Sequence, residues 1–404
     1  MRLKKRHREA IRRCVKQTDR KYRVVYQTER GYSRSSDSIC HRVGEGIRIC
    51  IKQPTYWIIR YLRIVLRMFR MDIIKLAEVL NLSKSTVSRA FRDSSGISAK
   101  TKQRILEKAR ELNYHPNHYA SNMRDQKSMT IAVVVPELAN NYFTQIIQGV
   151  EKVAKTSGYH ILIYVTDDDI TREQEFIRGV SNGRVDGVVM SVSGESKDHS
   201  YLEFVDVDRL PIILFDRIYD DIELPKIITD DYDSSFQSTE HLIQQGCSRI
   251  AYLVVNKEQS IGKVRMQGYI DALKKHRIPL RKRLIVDCTN SYAENAAIIE
   301  RAMSKQQPDG ILASVERLAF STYYACSKLA VRIPDDLKVV AFSSLEIAPL
   351  LNPALTTVTQ PAIQIGERAA TLLLKKLQGT PIEDAERLIM MKSELVIRAS
   401  SLPV

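Results

Sequence analysis

From Thr130 to the C-terminus, short runs rich in β-branched residues alternate with longer helical stretches, and this alternation constrains the fold more than any other feature. Strands separated by helix-length connections pair in parallel, because an antiparallel neighbour needs only a tight turn. Strands are expected at Ile131–Pro136, His160–Val165, Val185–Ser191, Pro211–Phe215, Arg249–Val255, Gly310–Ala313 and Val339–Phe342. Helices are expected near Tyr142–Thr156, Asp233–Gln245, Val264–Lys275 and Gly366–Leu377. The body is therefore α/β, with helices packed on parallel sheets.

The stretch before it is purely helical. Ile73, Leu76, Ala77 and Leu80 form one apolar stripe, which Asn81-Leu82-Ser83 interrupts. Ser83 suits the N-cap of a second helix, Lys84 to about Phe91, with Val87, Ala90 and Phe91 turned inward. After a loop containing Gly96, Ser98 can cap a third helix carrying Ile105, Ala109 and Leu112. Two short helices across a tight turn make a helix-turn-helix, whose second helix fits the major groove of DNA. On its exposed face stand Lys84, Ser85 and Arg89. An arginine there can fork onto guanine O6 and N7; a solvated surface arginine is the alternative.

Charge is unevenly spread. The formal net charge is +15, yet residues 1–70 hold 20 Lys and Arg against 5 Asp and Glu, and residues 71–404 hold 42 of each. Within the latter, a mildly basic head (71–128) precedes a mildly acidic body. The first seventy residues, with the sole tryptophan, Trp57, show neither sustained periodicity nor strand–turn punctuation. Two expectations follow: a disordered basic tail, or an amphipathic helix near its end, attracted to phosphates; or upstream sequence translated from a start codon placed before Met71. The second is favoured. Cys14, Cys40, Cys50, Cys247, Cys288 and Cys326 show no CxxC or His-rich spacing, so neither a metal site, a cofactor nor a disulfide framework is expected. The usage suits a reducing cytoplasm. Arg60, Arg63, Arg67 and Arg70 interrupt the most apolar early stretch, Tyr56 to Met71, so no membrane span or signal peptide is read.

The run Leu76-Ala77-Glu78-Val79-Leu80-Asn81-Leu82-Ser83-Lys84-Ser85-Thr86-Val87-Ser88-Arg89-Ala90 strongly resembles the start of the lactose-repressor/galactose-repressor (LacI/GalR) family, Thr86-Val87-Ser88-Arg89 being its most specific part. The resemblance continues through Ser98-Ala99-Lys100-Thr101 and Leu112-Asn113-Tyr114-His115-Pro116-Asn117 and covers essentially residues 71–404. It implies a head (71–115), a hinge (116–128) and a two-lobed periplasmic-binding-protein-like sensor and dimerisation domain (129–404). It makes Lys84, Ser85 and Arg89 base readers and Ser83, Thr86, Ser88, Ser98 and Thr101 phosphate holders. Arg92 stands where the family often has Asn, which puts that backbone contact in doubt.

In the hinge, Asn117 and Ala120 match the family, and Met123 takes the place of its usual leucine. The family's hinge helix forms on DNA, pairs with its dimer mate and pushes that apolar side chain into a minor-groove step, kinking the duplex. A plain solvated linker is the alternative. In the sensor, a crevice between lobes needs polar groups for sugar-type hydroxyls and aromatic faces for the ring. The candidates are Asn141, Tyr142, Phe143, Asp216, Arg217 and, in an Arg-x-x-Gly-aromatic pattern matching the family's ligand-clamping arginine, Arg265. Tyr142 and Phe143 could instead be packing at a helix start, Asp216 a cap and Arg217 part of a rim ion pair. Two departures bear on the ligand: Val315-Glu316 stands where Asn-Asp is common, and Phe342-Ser343-Ser344 where Phe-Asp-Asp is usual. Glu316 can still accept hydroxyl hydrogen bonds, with a longer arm.

These readings together describe a cytoplasmic, nucleoid-associated transcription regulator, a repressor. It would bind near-palindromic operator DNA as a homodimer under control of a sugar-like effector. An enzyme is the runner-up, since α/β layers host much catalysis, but no Gly-rich phosphate loop, G-x-S-x-G elbow or HExxH occurs. A solute-binding protein would carry a secretion signal and no DNA head.

Overall fold

The computed structural model describes residues 38–42, 48–52, 72–91, 96–114, 127–193, 199–219 and 221–402. Its contacts divide the chain into two units, residues 1–117 and 118–404. In the first, β1 (Ser38–Arg42) pairs antiparallel with β2 (Arg48–Lys52), Ile39 opposite Ile51 and Cys40 opposite Cys50. This departs from the expectation of a tail without strands: the isoleucines favour extended backbone, and a run of only five residues is too brief for its periodicity to register.

Three helices follow at the places the apolar spacing predicts: α1 (Ile73–Leu80), α2 (Lys84–Phe91) and α3 (Ala99–Glu111). Leu76, Ala77, Leu80, Val87, Ala90, Ile105 and Ala109 are buried together, and the Phe91 ring lies 5.6 Å from that of Tyr114. Asp72 caps α1 by accepting from the Lys75 amide at 2.8 Å. Asn81 ends it in the left-handed region, at φ 53°, and Arg104 donates to the Leu80 carbonyl at 3.0 Å.

The second unit runs β3 (Thr130–Val135), α4 (Asn141–Thr156), β4 (His160–Val165), α5 (Ile170–Val180), β5 (Gly187–Met190), α6 (Ser200–Glu203), β6 (Ile212–Phe215) and β7 (Lys226–Thr229). Next come α7 (Asp231–Gln244), β8 (Ile250–Val255), α8 (Ser260–Lys275), β9 (Ile285–Cys288), α9 (Tyr292–Gln306), β10 (Gly310–Ala313), α10 (Glu316–Leu329), β11 (Lys338–Phe342) and β12 (Thr356–Thr359). The last elements are α11 (Ala362–Leu377), α12 (Asp384–Arg387), β13 (Leu388–Met391) and β14 (Glu394–Val396). Two six-stranded sheets result, ordered β13-β7-β6-β5-β3-β4 and β14-β12-β11-β10-β8-β9. All pairings in them are parallel except β14 with β12.

Among the described residues the chain passes between the sheets after β7, after β12 and between β13 and β14. Polar side chains lace these passages together. Gln360 donates to the Thr229 hydroxyl at 3.0 Å, the Asp230 amide donates to the Met391 carbonyl at 3.2 Å, and the Asp230 carboxylate accepts from the Ser393 amide at 2.7 Å. Each passage is therefore pinned to its neighbours by bonds of fixed direction.

Helices α4 and α11 cross on the first sheet through a pair of glycines. A Cβ at Gly149 would stand 2.1 Å from the Ile363 carbonyl oxygen, and one at Gly366 the same distance from that of Ile146. No flexible side chain can yield there, so Gly366→Ala should cost about 1–3 kcal/mol in urea unfolding. A second prediction concerns Glu173 on α5, which is fully buried and accepts from the Ser193 amide at 2.6 Å and from the Tyr201 hydroxyl. Burial pushes its carboxyl up to about 7, above the ordinary 4.5. Its contribution to stability is full below about 4.5 and is lost as pH rises through about 7. Relative to wild type, Glu173→Gln should gain stability across that interval, by up to about 3 kcal/mol.

Candidate DNA-reading head and ligand crevice

The two helix starts of the head are built alike. Ser83 Oγ accepts from the Thr86 amide at 3.1 Å and lies 2.8 Å from the Thr86 hydroxyl and 2.7 Å from that of Ser85. At α3, Ser98 Oγ accepts from the Thr101 amide at 3.2 Å, with the Thr101 hydroxyl 2.9 Å away. Hydroxyl pairs at helix N-termini, where the dipole is positive, suit phosphate oxygens. Lys84, Ser85 and Arg89 are exposed on α2, Ser88 is half-buried, and Val87 and Ala90 face the core. Arg89 Nε turns back to the Ser85 carbonyl at 3.4 Å, which lays the guanidinium along the helix. Arg92, Asn117, Ala120 and Met123 lie outside the described residues.

In the second unit a crevice between the sheets has Tyr142, Phe143, Asp216, Arg217, Arg265 and Glu316 in its walls, with Glu137, Asn140, Gln259, Asn290, Arg317, Ser343, Ser344 and Gln360. Its lining surrounds about 620 Å³ of empty space, open solvent included. Phe143, Val255, Ile261, Val315 and Phe342 supply the apolar part. Asn141 is not among the wall residues; its amide donates to Glu316 Oε1 at 3.1 Å, from the first lobe to the second. Tyr142 and Phe143 serve both readings offered for them. They pack at the start of α4, rings 5.5 Å apart, and they face the crevice.

Arg265 is 3% exposed. Its Nε donates to Asp231 Oδ1 at 2.6 Å, its Nη1 to the Ser314 carbonyl at 2.6 Å, and the Phe342 ring lies 4.0 Å from the guanidinium carbon. Asp231 also accepts from the Thr229 hydroxyl at 3.0 Å, so this pair anchors the first passage between lobes. Arg217 pairs with Asp168 at 2.8 Å, the ion pair foreseen as its alternative. Asp216 is no helix cap. It sits at φ 59°, a conformation that Asp tolerates better than most residues, and is 4% exposed. Its Oδ1 and the neighbouring Tyr142 hydroxyl close no direct hydrogen bond with the described residues. Burial raises both the Asp216 carboxyl and the Tyr142 phenol above their ordinary values. Burial likewise raises Glu316, although Ser343 Oγ donates to its Oε2 at 2.7 Å. The two departures noted in the sequence are thus bonded to each other.

A family model described as "Bacterial regulatory proteins, lacI family" matches residues 71–117. Another, "Periplasmic binding proteins and sugar binding domain of LacI family", matches residues 128–395, more than half of the chain. The chain belongs to the LacI family. It is 29% identical over 334 residues to the ribose operon repressor of Halalkalibacterium halodurans, covering 82% of this chain and 96% of that one. With the transcriptional repressor CytR of Escherichia coli it shares 28% over 321 residues, 79% and 93% of the two chains. The lac repressor dimer bound to operator and the anti-inducer ONPF superposes with a TM-score of 0.72 at 22% identity, over 82% of this chain and 99% of that one. The fold shared with that structure is a helix-turn-helix head and a two-lobed α/β sensor.

Within this LacI-family sensor, sequence reasoning passed over Asp168, Asp231, Gln259 and Arg317. Asp167-Asp168-Asp169 follows β4 after Thr166, and Asp230-Asp231 follows β7 directly, a position at which α/β folds gather ligand groups; no local pattern marks Gln259 or Arg317. Among the described residues no helix is long and apolar enough to cross a membrane. Removing one member of the buried pair strands the other, so Arg265→Ala should cost about 3–5 kcal/mol. The double variant Arg265→Met, Asp231→Asn should recover part of that loss in the same urea titration.

Proposed function

We propose that this cytoplasmic protein represses transcription. Two copies present α2 to successive major grooves of a near-palindromic operator, and a sugar-like effector in the crevice changes operator affinity. The observation that carries the proposal is that a polar crevice lies against the laced passages between lobes, in a chain whose head exposes Lys84, Ser85 and Arg89 on one short helix. The named relatives, a ribose operon repressor and CytR, support repression, and the operator-bound lac repressor supports the docking mode. The protein acts by binding, not turnover.

In this reading residues 71–115 hold the head, 116–128 the hinge and 129–404 the sensor. Arg89 reads a guanine with Lys84 and Ser85 beside it; Ser83, Thr86, Ser88, Ser98 and Thr101 hold phosphates. Asn117, Ala120 and Met123 belong to a hinge helix whose methionine wedges a minor-groove step. In the crevice Arg265, Asp216, Arg217 and Glu316 bind effector hydroxyls, Tyr142 and Phe143 take the ring, and Asn141 orients Glu316. Effector coupling to DNA of about 1–3 kcal/mol is the expected scale.

Selection from a random duplex pool by the full chain at moderate salt should yield one palindrome, and Arg89→Ala should relax preference at one base pair per half-site by about 1–3 kcal/mol. No sequence preference, with or without sugars, would remove the regulator reading.

A further inference from the structure

The crevice's own ion pairing restricts its occupant, and the argument rests on the sugar-type effector proposed above. Its three guanidinium groups are each already matched by a carboxylate: Arg265 by Asp231 at 2.6 Å, Arg217 by Asp168 at 2.8 Å, and Arg317 by Glu137. The wall itself balances, three guanidiniums against Glu137, Asp216 and Glu316; with Asp231 and Asp168, which stand outside the wall, five carboxylates meet three guanidiniums, and Asp216 and Glu316 have no ion pair among the described residues.

We infer that the effector is a polyol bearing a protonated amine, recognised by Asp216 and Glu316, and that sugar phosphates and sugar acids are excluded.

Asp216 is almost wholly buried, with the Tyr142 hydroxyl beside it and no other donor on Oδ1 among the described residues. A buried carboxylate oxygen in that state is costly, and a donor from the occupant removes the cost. Glu316 has hydrogen bonds from Asn141 and Ser343, but both donors are neutral. Burial raises both carboxyls even though Arg265 and Arg217 act on Asp216, and Arg317 on Glu316, in the opposite direction, so a cation in the crevice would stabilise their anions further. The hydroxyls of the same molecule find the Tyr142 hydroxyl and the Nε–H of Arg217, each buried without a direct partner. An anionic group would meet two carboxylates, and the unpartnered Nε–H of Arg217 offers it only a guanidinium whose charge Asp168 already matches.

The test is calorimetric titration of the full chain at pH 7 with matched sets: glucose, galactose and mannose, each as the free sugar, the 2-amino-2-deoxy sugar and the 6-phosphate. In whichever set binds, the amine should bind at least about tenfold tighter than its parent, a difference of about 1.4 kcal/mol, and the phosphate should give no heat. The preference should shrink once pH exceeds the amine's own pKa. Glu316→Gln and, independently, Asp216→Asn should each reduce the amine-to-parent ratio by about tenfold, the same single-charge step; a cooperative thermal melt shows that each variant is folded. A phosphate or parent sugar binding more tightly than the amine, or a ratio that survives both substitutions, overturns the inference while the sugar-sensing reading stands. Silence from every set removes that reading and the inference with it.

Discussion

The buried Arg265–Asp231 pair is the interaction on which the sensor's arrangement depends. A guanidinium 3% exposed is tolerable only with its charge met and its N–H groups directed at acceptors. Asp231 meets the charge from the first turn of α7, directly after the chain leaves the first sheet; the Ser314 carbonyl takes a second donor from the end of β10; the Phe342 face covers the rest. One side chain thus fixes a lobe passage, two strand ends and a wall of the crevice. Moving any of these would unpair a buried ion, so their geometry is shared.

Around this anchor the lobes touch through polar bonds that cross the crevice. Asn141 reaches Glu316, Gln145 reaches the Ser344 carbonyl at 2.8 Å, and Glu137 pairs with Arg317. Asn256 and Gln259 reach Asp168, which also holds Arg217. A molecule entering the crevice competes for these same donors and acceptors. Its differential contacts with the lobes then become a bias on their relative position, which is what a ligand needs in order to shift a conformational equilibrium.

The chain's departures from its family's usual wording show how local chemistry compensates. Glu316 replaces a shorter carboxylate and Ser343 replaces another acid. In the fold, the serine hydroxyl donates to the glutamate, so one acceptor-only group is exchanged for a donor where the longer arm arrives. With Ser344 also standing where the family usually has an acid, the carboxylates of this part of the crevice fall from three to one, and that one is held in place from both lobes.

The sequence by itself determined the helical head and the α/β character of the body, because apolar spacing of 3.6 and blocks of β-branched residues are local patterns written in consecutive residues. His160–Val165 and Gly310–Ala313 were legible to the residue, whereas β7, β9, β12, β13 and β14 were not. Helix starts at Asn141, Asp231, Ser260 and Ala362 precede the expected positions, the first three on polar residues that lie outside the apolar stripe. The crevice residues that matched a family motif were also legible. Only the tertiary structure decided where the lobe passages lie, that Asn141 bonds Glu316 across the lobes, and that Asp168 and Asp231 neutralise the arginines. Those facts depend on residues tens of positions apart meeting across two sheets, as Arg265 meets Asp231 and Glu316 meets Asn141, and no local pattern encodes the pairing of distant charges.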